Sequence, residues 1–255
     1  MNYSLICLRS IVRKEITRIF RIWVQTLVPP VITITLYFLI FGDLIGSQLR
    51  NIEGYSYMAF IAPGLIMMAI ITNSYTNTVS SFFSAKFQRN IEELLVSPAP
   101  TWVIILGYVS GGMTRGLMVG ILVSLVSLIF VTLPVHNLFF ILLFAILTSF
   151  TFSLAGMLNA IFAKKFDDVT IIPTFVITPL TYLGGVFYSL SLLPDFWQTV
   201  SKINPIVYMV NGFRFGFLGI SSINVWVGAG MLGIFSITLF SINWWLLWKG
   251  IGTRT

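Results

Sequence analysis

The chain has 255 residues, of which 57% are hydrophobic, 15% aromatic and only 9% charged, and its mean hydropathy is +0.94. A charged fraction so far below the roughly 25% of ordinary globular chains excludes a soluble domain and defines a polytopic membrane protein. The formal net charge of +7 therefore reports where Lys and Arg sit against a bilayer, and no nucleic acid partner is expected. A single cysteine, Cys7, excludes an intrachain disulfide and a cysteine-rich metal site.

The N-terminal stretch is basic and leads into an apolar run, but no small-residue cleavage site follows, so it is expected to be retained. Over residues 1–21, Leu5, Leu8, Val12, Ile16, Ile19, Phe20 and (just beyond) Trp23 share one helical face, with Lys14, Arg18 and Arg21 opposite. Arg9 and Arg13 lie nearer the boundary, and Ile11 and Ile22 interrupt the pattern. Such a helix is expected to lie in the headgroup plane of an anionic leaflet, with membrane lipid as its partner. A first span is expected over residues 22–41, followed by a loop carrying Asp43, Arg50 and Glu53, and a second span over residues 57–83.

Residues 84–100, SAKFQRNIEELLVSPAP, are the long polar interruption that follows. Phe87, Ile91, Leu94 and Leu95 recur on one helical face, while Lys86, Arg89, Asn90, Glu92 and Glu93 fall mostly on the other. Pro98 stops the helix by biasing Ser97 away from the α region, and Pro100 restarts the chain. A helix of about three turns is not stable alone in water, so its apolar face needs a surface to dock on. Periodicity leaves two readings open, a helix resting on the membrane or its own loops and a docking lever for a partner.

The third apolar segment, residues 101–133, exceeds the roughly 20 residues a bilayer core requires and should tilt or project. Gly112, Gly116 and Gly120 repeat every fourth position, continued by Ser124, which lets another helix approach closely. Arg115 sits near the middle, where an arginine faces the bundle or a wet cavity. His136, with no carboxylate, cysteine or second histidine to complete a site, reads as a loop residue.

A fourth span over residues 138–163 ends at Lys164 and Lys165, and Asp167 and Asp168 then suit the N-terminus of the next helix. The fifth span, residues 169–188, contains Pro173, Pro179, Gly184 and Gly185 and is expected to be bent or broken near its far end. Residues 189–220 carry Pro194, Asp195, Lys202, Asn204, Pro205, Asn211 and Arg214, too many breaks and polar groups for an ordinary crossing. This segment is expected to dip into the outer leaflet and return, and a last span covers residues 223–248.

Eleven Lys and Arg fall in the N-terminal helix, the 84–100 loop, the Lys164 loop and the C-terminal tail, against two, Arg50 and Lys202, in the alternate loops. The asymmetry places both termini in the cytoplasm. The fold expected is a single all-α transmembrane domain over residues 1–255, with six transmembrane helices, an N-terminal amphipathic interfacial helix and outer re-entrant helices between spans five and six.

Chemistry is sparse. No phosphate-binding Gly-rich loop exists, since no glycine is followed by lysine, and there is no H-E-x-x-H, no G-x-S-x-G and no pair of intramembrane acids. The acidic residues read as lying in loops or near ends, which argues against a proton-driven carrier. Any energised transport therefore needs a motor on another polypeptide.

IEELLVSPAP within residues 84–100 and LGGVFYSLSLLPDFWQTVSKINPIVYMVNGFR, Leu183 to Arg214, resemble the hallmark segments of the membrane subunits of type-2 ABC exporters. The likeness extends across essentially the whole chain, including RIWVQTLVPP, FFSAKFQRNIEELLV and PTFVITPLTYLGGVFYSL. It implies an inner-membrane, six-span homodimer working with separately encoded ATP-binding subunits, which hold ATP and Mg while this chain binds no cofactor. It implies that Phe87 to Val96 is the cytoplasmic coupling helix, presenting Phe87, Arg89, Ile91, Glu92, Glu93, Leu94 and Leu95 to the ATPase. Lys164, Lys165, Asp167 and Asp168 form the second cytoplasmic loop. By resemblance, the second and fifth spans line the central path, so Asn73, Tyr75, Thr76, Asn77, Thr178, Thr181 and Tyr182 are candidate path residues, with Arg115 and Arg214 added as head-group contacts. The expected cargo is amphipathic or lipid-linked and anionic, although both arginines equally suit satisfying helix ends and carbonyls. The competing readings are a lipid-modifying membrane enzyme, disfavoured by the lack of any nucleophile, base and metal constellation, and an autonomous channel or secondary carrier.

Overall fold

The computed structural model describes residues 3–44, 52–190 and 193–252, and these are helical apart from turns, loops and one isolated bridge between Ile52 and Tyr55. Arg50 and Arg254, both counted in the charge asymmetry, lie outside the described residues, as do the side chains of Asp43 and Leu95.

Helix α1 (Tyr3–Arg21) is followed after a kink at Ile22 by α2 (Trp23–Phe38), which passes into a π turn over Leu39–Leu44. Helix α3 (Tyr57–Phe87), capped by Ser56 Oγ accepting from the Ala59 N–H at 3.3 Å, runs unbroken to Phe87. A short α4 (Asn90–Val96), α5 (Thr101–Phe130) and α6 (Leu138–Phe162) follow. The chain then forms α7 (Phe166–Ile172), a π turn over Pro173–Ile177 and α8 (Thr178–Tyr182) in one continuous path. Two short helices, α9 (Asp195–Ser201) and α10 (Pro205–Leu218), precede α11 (Val225–Lys249). Among the described residues five helical segments, at Trp23–Phe41, α3, α5, α6 and α11, are long and apolar enough to cross a membrane.

Helix α3 is the hub, packed between α5 and α6 and buried on nearly all sides. Its close approach to α5 is a small-residue device. A Cβ on Gly116 would overlap Ser74, one on Gly112 would overlap Thr78 and Ser153, and one on Gly120 would stand 2.7 Å from Ile70 Cγ1. In a medium as apolar as the side chains, such contact and interhelical hydrogen bonds, rather than burial from water, hold helices together. The outer faces of α5 and α11, with Ile121, Leu125, Ile129, Ile234, Ile237 and Trp245, are exposed and apolar, as a lipid-facing surface requires.

Two expectations are corrected and one is extended. The helix in the 84–100 loop does not start at Phe87, which belongs to α3. Arg89 adopts a left-handed backbone (φ 61°, ψ 5°), so the chain turns sharply and α4 keeps only seven residues. The fifth segment breaks near its far end, as expected, and it also leaves α geometry early, at Pro173–Ile177. Pro179 has no N–H to continue an α ladder, and both the backbone N–H and Oγ1 of Thr178 donate to Pro173 O, the latter at 2.9 Å. The helix then ends at Tyr182, ahead of Gly185 with its φ of +74°. In α1 the face that meets the protein is Ile11, Glu15 and Ile19, while Leu5 and Phe20, and Trp23 at the start of α2, are exposed. Ile11, the apparent pattern breaker, is a docking residue against Gly107.

Candidate functional site

Glu15, an acid given no role in the sequence analysis, is a buried polar group held by several partners. It is fully buried where α1 crosses α3 and α5. Its carboxylate accepts from Ser81 Oγ at 2.7 Å and pairs with Arg18 Nη2 at 3.2 Å. The same Arg18 nitrogen donates to Asn77 O at 3.2 Å and to Asn77 Oδ1 at 3.0 Å. Gly111 is required beneath this network, since a Cβ there would lie 2.8 Å from Glu15 Cβ. Glu15 thus departs from the expectation that every acid sits in a loop or near an end, being chain-terminal in number but interior in space. Its signal is present in the sequence: the one acid of a basic helix shares the Ile11 and Ile19 face at four-residue spacing.

A cavity of about 290 Å3 opens between α2, α3 and α5, lined by Gln25, Pro29, Thr33, Tyr37, Asn73, Thr76 and Arg115 among others. Of the path candidates it gathers Asn73, Thr76 and Arg115, and it reaches Tyr182 through a 3.1 Å hydrogen bond between the Tyr37 and Tyr182 hydroxyls. Asn73 Nδ2 donates to Ala69 O and Thr76 Oγ1 to Thr72 O. Arg115 is only weakly held: Nη2 donates to Thr26 O at 3.4 Å and Nε is buried without a partner.

The other candidates lie elsewhere. Tyr75 faces a second, more apolar cavity of about 370 Å3 with Phe152, Asn159, Ile177 and Pro205. Asn77 belongs to the Arg18 network, Thr178 to the π turn, and Thr181 is buried and donates to Ile177 O. Arg214 is buried in α10, donating through Nε to Phe60 O at 3.2 Å and through Nη2 to Gly185 O at 2.8 Å. Its guanidinium carbon also sits 3.8 Å from the Phe60 ring centroid. That geometry ties the turn after α8 and the start of α3 to α10, and it leaves the arginine sealed among carbonyls.

At the opposite end of α3, Ile91 of α4 is buried and Leu94 packs against the core, while Arg89, Glu92 and Glu93 are exposed. Lys86 Nζ donates to Ile161 O at 2.6 Å and Ala163 O at 2.8 Å, satisfying the last carbonyls of α6. Phe87 is exposed and meets Phe166 with ring centroids 5.0 Å apart, and Phe83 lies equally close to Phe166. An open cavity of about 580 Å3 beside them is lined by Phe87, Arg89, Phe162 and Lys164. Lys164, Lys165 and Asp167 are exposed, and Asp168 Oδ2 accepts from the Lys164 and Lys165 N–H groups at 2.8 and 3.0 Å. Those two backbone donors hold the Asp168 carboxyl below its ordinary range.

An all-helical bundle with several membrane-length helices and a short, anchored, charged helix at one end is the framework of a transport subunit. The pattern of the ABC-2 type transporter family matches residues 7–218, and the chain belongs to that family. It is 60% identical over 255 residues, all of both chains, to the inner membrane transport permease YadH of Escherichia coli strain K12. It is also 25% identical over 207 residues to nodulation protein J of Rhizobium meliloti strain 1021, covering 81% of this chain and 79% of that one. A similar match, 26% over 207 residues with 81% and 80% covered, joins it to nodulation protein J of Rhizobium leguminosarum bv. viciae. The chain is thus a bacterial inner-membrane, multi-pass permease subunit, not an enzyme, in a family that pairs with an ATP-binding subunit.

Proposed function

We propose that this chain is the membrane half of an ATP-driven exporter, working as a homodimer with two copies of a separate ATPase. ATP and Mg bind on that partner, and this chain binds no cofactor. The observation that carries the reading is α4, whose Ile91 is anchored in the bundle while Arg89, Glu92 and Glu93 stand exposed at one end. A rigidly docked helix with a solvent-facing charged side passes a partner's movement to the bundle. Lys164, Lys165 and Asp167 extend the same end, and the Phe83, Phe87 and Phe166 rings join α3 to α7 there.

In this reading the path from α7 to α8 makes a sixth crossing, α9 and α10 form the outer re-entrant pair, and both termini are cytoplasmic. The interfacial α1 keeps Leu5 and Phe20 toward lipid, as does Trp23 at the start of α2, and Arg9, Arg13 and Arg21 toward head groups and water. The cargo is amphipathic or lipid-linked, because the cavity walls combine apolar side chains with scattered hydroxyl, amide and phenol groups and present no ring of charge. Arg214 holds the outer turn rather than cargo. Purification of the tagged permease from its native membrane is expected to bring down one ATP-binding polypeptide per permease chain. Recovery of an active transporter without any such polypeptide contradicts the reading.

A further inference from the structure

We propose that the cavity at Arg115 is the binding site for a phosphate-class anionic head group carried on an amphiphile, an inference that rests on the transport reading above. A guanidinium offers five N–H donors in a planar fork and keeps its charge. Here one donor reaches Thr26 O at 3.4 Å, and Nε is buried without a partner. Among the described residues Arg115 forms no ion pair, because Glu15, the buried acid nearby in the fold, is spent on Arg18 and Ser81. With Glu15 paired to Arg18, the Arg115 guanidinium is left as an unpaired positive charge beside a largely apolar cavity, and such a charge is retained where an anion neutralises it.

The cavity supplies what a tetrahedral oxyanion needs besides charge. Gln25 and Thr33 line it with side-chain donors, and the Tyr37 hydroxyl stands at the same wall. Arginine with hydroxyl and amide donors recognises phosphate in a planar, two-bond manner. About 290 Å3 accommodates a head group but not a whole amphiphile. Ile32, Leu36 and Ile40 run along a neighbouring exposed face of α2 and its π turn at four-residue spacing, an apolar track for the attached tail.

The test uses 1-oleoyl-lysophosphatidate and 1-oleoylglycerol, which share a tail and differ by the phosphate. Equilibrium binding to the purified full-length permease, without nucleotide, is expected to favour the phosphate lipid by about tenfold or more, or roughly 1.4 kcal/mol. Arg115→Gln is expected to erase the preference and Arg115→Lys to keep most of it. Thr33→Val, at an exposed position, should weaken it by about threefold, the low end for the loss of one ordinary hydrogen bond. Inorganic phosphate in the millimolar range should displace neither lipid. Equal affinities in the unaltered protein, or a preference surviving Arg115→Gln in protein that still binds its ATPase, overturn the proposal. If Arg115→Gln does not fold, an unchanged preference in Thr33→Val does so instead, and full displacement by inorganic phosphate overturns the lipid assignment. Loss of the ATPase partner with the lipid preference intact would contradict the transport reading alone, so the two fail separately.

Discussion

At the scale of single residues, Glu15 is the group on which most depends. Removing one member of a buried, hydrogen-bonded charge pair costs about 3 to 5 kcal/mol, because the survivor is left unpaired. Glu15→Gln is therefore expected to lower the thermal unfolding midpoint of the detergent-solubilised protein markedly. The double variant Glu15→Gln with Arg18→Gln should recover part of the loss, since no unpaired charge remains between α1 and α3. Additive losses in the two single variants and their combination would show that the pair does not act as a unit. Asp168 offers a smaller effect with a defined sign. Its carboxyl, held below the ordinary value of 3.8 by the Lys164 and Lys165 N–H groups, binds its proton less tightly folded than unfolded. The stability it contributes is complete above that unfolded value and is lost as pH falls through the folded one. Hydrogen-exchange protection of residues 164–168 should hold from neutral pH down to about pH 4 and fall below it, the carboxylate window. In Asp168→Asn that protection should already be low at neutral pH.

At the scale of elements, the apolar lengths of α3, α5, α6 and α11 are legible because a bilayer demands a long run without charge, and that demand is local in sequence. The α5 glycine row is legible for the same kind of reason, and it meets Ile70, Ser74 and Thr78 as a small-residue ridge should. What sequence hides is orientation around a helix axis. In α1 the apolar side chains Leu5 and Phe20 point outward, because lipid, like a protein core, rewards apolar groups. The protein-facing side is marked instead by small partners on α5, Gly107 and Gly111, some ninety residues away. The left-handed Arg89 is equally hidden, since a non-glycine residue at positive φ carries no compositional mark. It nevertheless decides that α4 is a separate element set at an angle to α3. With α4 as the lever, Glu92→Lys with Glu93→Lys is expected to weaken ATPase association or uncouple hydrolysis from transport while insertion is unchanged. Charges that merely face water contribute about 0 to 1 kcal/mol, so unchanged association and coupling would return them to that class.

At the scale of the whole molecule, α3 joins an end bearing α4, Lys86 and the Lys164 loop to an end bearing α9, α10 and the Arg214 clamp. In the proposed topology the first of these ends faces the cytoplasm. In a Cys7→Ser background, Glu53→Cys and Lys202→Cys should react with an impermeant thiol reagent in intact cells, and Glu93→Cys only after permeabilisation. Reaction at position 93 from outside would reverse the topology. The most direct measurement joins this orientation to the motor. Glu93→Cys in the Cys7→Ser background is expected to cross-link, through a short bifunctional thiol reagent, to a cysteine placed on the permease-facing surface of the ATP-binding subunit, and Lys202→Cys is expected to give no such product. A cross-link from Lys202 with none from Glu93, in complexes that still hydrolyse ATP, would contradict the assignment of α4 as the element through which the ATPase drives this permease.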